Sequence, residues 1–174
     1  MAVYDASNAE CHVYTYKEGV LSAIAHDLKI RVSAFRIEVD DGEGGIHGEF
    51  DAASLSVVCA MNGTREAHSS LSDNDKRKIE RNIRKDVLNV RRFPLIRFQA
   101  TDVREAVTGP IVSGELELHG RRRSVEAFGI EQEGRLVFSV TLNQPDFGIQ
   151  PYRAMMGTLR IQPRVKVHLS VPKP

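Results

Sequence analysis

The chain has 174 residues, 41% of them hydrophobic and 27% charged, with 24 basic and 23 acidic side chains. That balance describes one globular domain able to bury its own core, and it excludes an intrinsically disordered chain. A net charge of +1 argues against a dedicated nucleic-acid binder, and no run approaches the 18 apolar residues that a membrane-spanning helix needs.

The first residues, Met1 to Asn8, have neither a basic start nor an apolar stretch. The expectation is therefore no signal peptide and a cytoplasmic location. Cys11 and Cys59 lie far apart and in no CxxC pair, so they read as small buried thiols rather than as a disulfide or zinc ligands. His12, and later His168, fall on strand faces whose neighbours look solvated. Leu28, Ile30 and Val32 alternate with Lys29, Arg31 and Ser33. Phe35, Ile37 and Val39 then continue on the opposite parity, a slip that predicts a β-bulge or a sharp bend. Turn signals follow at Asp40-Asp41-Gly42 and Gly44-Gly45.

One segment changes period. Ser72 can cap a helix with Asp75 at the capping-box position. Ile79, Ile83, Val87 and Val90 make one apolar stripe, and Phe93-Pro94 should stop the helix. The prediction is a helix over 72–91, about five turns long. From Lys76 to Arg92 it carries eight basic and two acidic side chains.

Beyond the helix, Val112, Leu116 and Leu118 alternate with polar residues, and Arg121-Arg122-Arg123 reads as an exposed turn. Leu136, Phe138, Val140 and Leu142 form another alternating run. The longest carries Leu159, Ile161, Val165, Val167, Leu169 and Val171 on one face. About eight strand candidates suggest a closed antiparallel barrel or a two-sheet sandwich.

Signals for bond chemistry are sparse. No GxSxG elbow, P-loop, GxGxxG or HExxH occurs. His26 stands beside Asp27 at the start of an apolar strand. Adjacent strand residues face opposite ways, so the two should not meet, and His26 reads more readily as a rim residue bonded to backbone than as a catalytic base. The basic helix face and Arg121 to Arg123 read as solvated surface, with an anionic headgroup or nucleic acid as the alternative partner. Tyr152, Met155 and Met156, after the run Asp146-Phe147-Gly148-Ile149, bring adaptable apolar side chains close together.

Several short motifs occur in order: Ala25-His26-Asp27-Leu28-Lys29-Ile30, Gly48-Glu49-Phe50-Asp51-Ala52-Ala53-Ser54-Leu55, Leu71-Ser72 with Asp75, and Asp86-Val87-Leu88. They continue with Phe93-Pro94-Leu95-Ile96-Arg97-Phe98, Gly114-Glu115-Leu116-Glu117-Leu118-His119-Gly120 with Arg123, and Asp146-Phe147-Gly148-Ile149. Together they resemble the YceI-like family of lipocalin-like barrels. The resemblance implies an all-β fold, an extended eight-stranded antiparallel up-and-down barrel with one amphipathic helix packed on it. It implies a non-catalytic carrier of a long apolar ligand such as an isoprenoid quinone, a polyprenol or a fatty acid or amide. The alternative is an enzyme acting on such a ligand through His26.

Alternation combined with the resemblance nominates the lumen: Leu28, Ile30, Val32, Phe50, Ile96, Phe98, Leu116, Leu118, Phe138, Leu142, Leu159 and Ile161. Phe147, Tyr152, Met155 and Met156 are placed near an entrance, and His26 is placed where it can orient a polar head. No metal or further cofactor is expected. The resemblance carries a homodimer as an expectation. The family's second motif often leads into a threonine-rich stretch; here it leads into Ser56-Val57-Val58-Cys59-Ala60.

Overall fold

The computed structural model describes residues 1–19, 25–40 and 45–173. The turn signal at Asp41 to Gly44 lies outside the described residues. The first strands are β1 (Ala2–Asp5), β2 (Glu10–Thr15), β3 (Asp27–Val32), β4 (Phe35–Asp40), β5 (Gly45–Asp51), β6 (Leu55–Asn62) and β7 (Arg65–Ala67). Helix α1 (Asp73–Asn82) follows. Four long strands come next: β8 (Leu95–Ala106), β9 (Gly109–Leu118), β10 (Arg121–Gln132) and β11 (Arg135–Asn143). The chain ends with the two-residue strands β12 (Arg153–Ala154) and β13 (Leu159–Arg160), then β14 (Arg164–Pro172).

Twelve of the strands form one sheet in the order β1-β4-β5-β8-β9-β10-β11-β14-β2-β3-β6-β7, and every pairing is antiparallel. This corrects the expected eight-stranded closed barrel: among the described residues no ladder joins the two ends of the order. The sheet is nevertheless rolled. Consecutive strands β3 and β4 lie near opposite ends, yet only Ser33 and Ala34 separate them. The 3-10 turn Ala52–Ser54 likewise connects β5 to β6 across the gap. Such short links force the ends together. Ser33 N–H donates to Ser54 O at 3.3 Å, and Asp51 N–H donates to Ala34 O at 2.9 Å. The parity slip after Val32 is therefore this corner rather than a bulge within one strand. The register shifts occur instead at Lys29/Ile30 against β6 and at Ala100/Asp102 against β9.

The helix starts as the sequence predicts. Ser72 Oγ accepts from Asp75 N–H, and the Asp75 carboxylate accepts from Ser72 N–H, both at 3.1 Å. It does not run to residue 91. After Asn82 the chain widens into a π-helical turn over Ile83–Val87, with Leu88 N–H bonded to Ile83 O at 2.8 Å. Asn89 then takes a left-handed φ of 46°, which ends the helical path before Pro94.

Two other expectations change. The last alternating run is interrupted at Gln162 and Pro163, leaving β13 and β14 as separate strands, as expected where proline lacks an N–H. Arg121 to Arg123 begin β10 rather than forming a turn; the turn is His119-Gly120, with φ of 54° and 73°. A side chain at position 120 would also meet the Phe93 ring, 2.7 Å from a Cβ built there. The core divides into a cluster around Cys11, Ile30, Val32, Ile37 and Val57 and a second around Leu116, Leu142, Phe147 and Ile149.

Candidate functional site: an apolar cavity with a polar mouth

The inner face of the rolled sheet encloses a cavity of about 720 Å³. Period-two alternation builds its wall. Leu28, Ile30 and Val32 on β3, Leu116 and Leu118 on β9, and Phe138 and Leu142 on β11 all point inward. Phe50 on β5, Ile96 and Phe98 on β8, and Leu159 and Ile161 complete the expected strand positions. His26, Tyr152 and Met155 also line the cavity.

Two expected residues do not. Phe147, 2% exposed, sits behind the wall against Leu116, Leu142 and Ile149, because the 3-10 turn Gln144–Phe147 carries it away from the lumen. Met156 is fully exposed at the tip of the β12–β13 hairpin, where its backbone turns left-handed with a φ of 57°.

Several lining residues escaped the sequence reading. Val140, Val165 and Val167 share the inward parity of neighbours that were named, while Val13, Ile37, Val39 and Val125 line the cavity from strands on which no lumen residue was named. Ile79, Ile83, Val87 and Leu88 line the cavity from the helical segment. The apolar stripe had signalled Ile79, Ile83 and Val87, but as packing against a barrel rather than as cavity wall; it included Val90, which does not line the cavity, and not Leu88.

Polar groups gather at one end. Exposed Ser70, Asp75, Lys78 and Met155 line the cavity, so it reaches the surface between α1 and the chain around Tyr152. Asn82 Nδ2 donates to Tyr152 Oη at 3.0 Å and ties these two sides together. The Ser72 hydroxyl, then its backbone N–H, hold the Asp75 carboxyl below its ordinary range, with Lys78 and His26 contributing charge. Thr15 Oγ1 is buried on the cavity wall with no hydrogen-bond partner among the described residues. His26 and Asp27 form no dyad. Asp27 Oδ1 accepts from Lys17 N–H at 2.8 Å, while His26 faces the lumen.

The thiols offer little nucleophilic chemistry. Burial pushes the Cys11 thiol, on the cavity wall, up to about 12. Cys59 lies on the outer face, where its sulfur, a Glu66 oxygen and a His68 nitrogen are within 4.8 Å of one another. Lys29 Nζ already holds Glu66 Oε1 at 2.6 Å, so a cation there would have to displace an ammonium. His12, expected on a solvated face, is 7% exposed, and its Nε2 has no partner among the described residues. Burial lowers its pKa.

Residues 11–172 match the model of the YceI-like domain. The chain belongs to the YceI-like family. Its rolled all-β sheet with one helix is the lipocalin-like architecture of that family. Among solved structures, Burkholderia cenocepacia BcnA superposes with a TM-score of 0.62 over 96% of this chain and 97% of that one, at 12% identity. A Campylobacter jejuni YCEI protein superposes with a TM-score of 0.52 over 91% of each chain, at 11% identity. At such identities the likeness is one of fold. Comparison with curated proteins gives no match. In this YceI-like chain the described residues bring together an apolar lumen and a polar rim, with no nucleophile–base pair between them.

Proposed function

We propose that this YceI-like protein binds one long apolar molecule in its cavity and releases it chemically unchanged. The observation that carries the reading is the cavity: about 720 Å³, walled by aliphatic and aromatic side chains from nearly every strand. Ligand pockets typically run from about 300 to 1,000 Å³, with a few polar groups fixing orientation. An isoprenoid quinone, a polyprenol or a fatty acid or amide suits a lumen that is apolar along its length and polar at one end. The tail lies among Ile30, Phe98, Leu116 and Phe138. The head sits near His26, Thr15 and Tyr152, where one or two hydrogen bonds orient it.

Burial drives the binding. Removing about 300 Å² of ligand surface from water gains roughly 7 kcal/mol at 25 cal/mol per Å². Ordering a flexible chain takes back part of that gain. Family membership supports the same reading.

Gel filtration of the protein with a long-chain quinone tests it. The quinone should co-elute at one per chain and be recovered unaltered. Phe98→Asp, which puts a carboxylate in the lumen, should abolish co-elution. His26→Ala should reduce retention modestly. Chemical conversion of the quinone that stops in His26→Ala would overturn the non-catalytic reading.

A further inference from the structure

The rim of the cavity carries two features that work against the stability of an isolated soluble protein. The β12–β13 hairpin ends in Met155 and Met156, 62% and fully exposed, and both have a left-handed backbone, with φ of 53° and 57°. Two consecutive non-glycine residues in that region are costly, and here the cost holds two apolar side chains out in solvent. The hairpin also pairs Arg153 with Arg160 directly across its strands, an arrangement of like charges that opposes pairing. Arg160 is held in place by donating to Gly157 O at 2.8 Å, and the Thr158 hydroxyl fixes the tip by donating to Met155 O.

The neighbouring helix adds charge of the same sign. Arg77, Lys78 and Arg81 are exposed on α1, and among the described residues none of the three, nor Arg153 or Arg160, has a carboxylate within 4 Å. The Asn82–Tyr152 hydrogen bond places helix and hairpin side by side, and Lys78 and Met155 line the same opening. Asp75 also lines this opening and feels the Lys78 charge, yet Arg77, Arg81, Arg153 and Arg160 outnumber it. An apolar tip flanked by a cationic excess, at the mouth of an apolar cavity, has the chemistry of a surface that meets acyl chains beneath phosphate groups.

We propose that the protein docks by this rim on an anionic lipid bilayer. Met155 and Met156 enter the acyl boundary, and Arg77, Lys78, Arg81, Arg153 and Arg160 meet headgroup phosphates. Docked in this way, the cavity opens toward the bilayer, and an apolar molecule passes between the two without crossing water. The purpose of docking rests on the carrier reading; the geometry of the rim does not.

Flotation of the full chain with vesicles of phosphatidylcholine plus phosphatidylglycerol, against phosphatidylcholine alone, tests the proposal. Binding should require phosphatidylglycerol and fall steeply with salt. Arg77→Glu and Arg81→Glu should each weaken it about fivefold or more. Met155→Asn with Met156→Asn, a pair that tolerates the left-handed backbone, should also weaken it several-fold while leaving the thermal midpoint unchanged or raised. Equal binding to both vesicle types, no binding, or unaltered binding by either set of variants would overturn the proposal. Native mass spectrometry of the same samples separates the two readings. Retained cargo without vesicle binding contradicts docking alone. Vesicle binding that follows the rim variants in a protein with no cargo supports docking and contradicts carriage.

Discussion

Glu80, on helix α1, accepts a hydrogen bond from the backbone N–H of Val57, on β6, at 2.9 Å. One helical turn on, Arg84 donates to Ala53 O at 3.0 Å and to Leu55 O at 3.1 Å. Side chains four residues apart on the helical segment thus serve backbone groups of the Ala52–Ser54 turn and of the first half of β6, which β7, pairing only with Ala60 to Asn62, leaves uncovered. They satisfy backbone groups that no neighbouring strand pairs there.

Glu80→Ala should therefore destabilise the fold by about 1–3 kcal/mol, the usual cost of stranding a partly buried N–H. Glu80→Gln, which keeps an acceptor oxygen, should recover most of that loss. Urea denaturation midpoints check both. An Arg84→Ala, Glu80→Ala double variant should lose less than the sum of the singles, because both cap one edge.

Stability should fall with acid in two separate windows. The hydrogen bonds from Lys29 and from His68 pull the Glu66 carboxyl from 4.5 down to about 2. A depressed acid stabilises the fold above its unfolded value, so this contribution is lost as pH falls from 4.5 toward 2. On Lys29, burial opposes the ammonium, but the bond to Glu66 outweighs it and the pKa is raised. His12 and His168 act higher on the scale. Burial lowers both from 6.5, so their contribution to stability is present above that value and is lost as pH falls below it, where protonation favours the unfolded chain. Denaturation midpoints followed from neutral to acid pH should show both slopes. Glu66→Gln should remove only the lower one.

Gly114 faces the lumen between β8 and β10, and a Cβ there would come within 2.5 Å of both Gln99 O and the Phe98 ring. Gly114→Ala should push Phe98 out of place and cost about 1–3 kcal/mol through overpacking. Ligand retention should fall with it, since Phe98 is cavity wall.

Filling the lumen separates binding from folding. Val140 lines the cavity and is only partly buried in the core around Leu142. Val140→Phe should occupy space the ligand needs and lower affinity by about tenfold, or ~1.4 kcal/mol. The thermal midpoint of the unliganded protein should hold or rise. Thermal melts with and without ligand measure both effects.

The alternating strands were legible because period two states which side chains share a face, and that, combined with the family resemblance, put Leu28, Ile30, Leu116 and Phe138 on the cavity wall. The Ser72–Asp75 cap was legible for the same local reason. Edge capping was not. Glu80 and Arg84 read as members of a charged helix face, and nothing local says that they reach a strand more than twenty residues earlier. The π-turn after Asn82 hid where the helix would end. Phe147 and Met156 were misplaced because turns set their directions, and a turn's dihedrals leave no periodic trace. His12 was misread because burial on an outer face depends on neighbours brought in by other strands, His168 across one ladder and Arg31 across the next.

Native mass spectrometry of gently purified protein, with organic extraction of whatever it carries, tests the central claim most directly. The account predicts one adduct of several hundred daltons per chain, displaced by Val140→Phe and recovered as an intact apolar lipid. A bare chain mass that stays bare after incubation with quinones, polyprenols and fatty amides would contradict it.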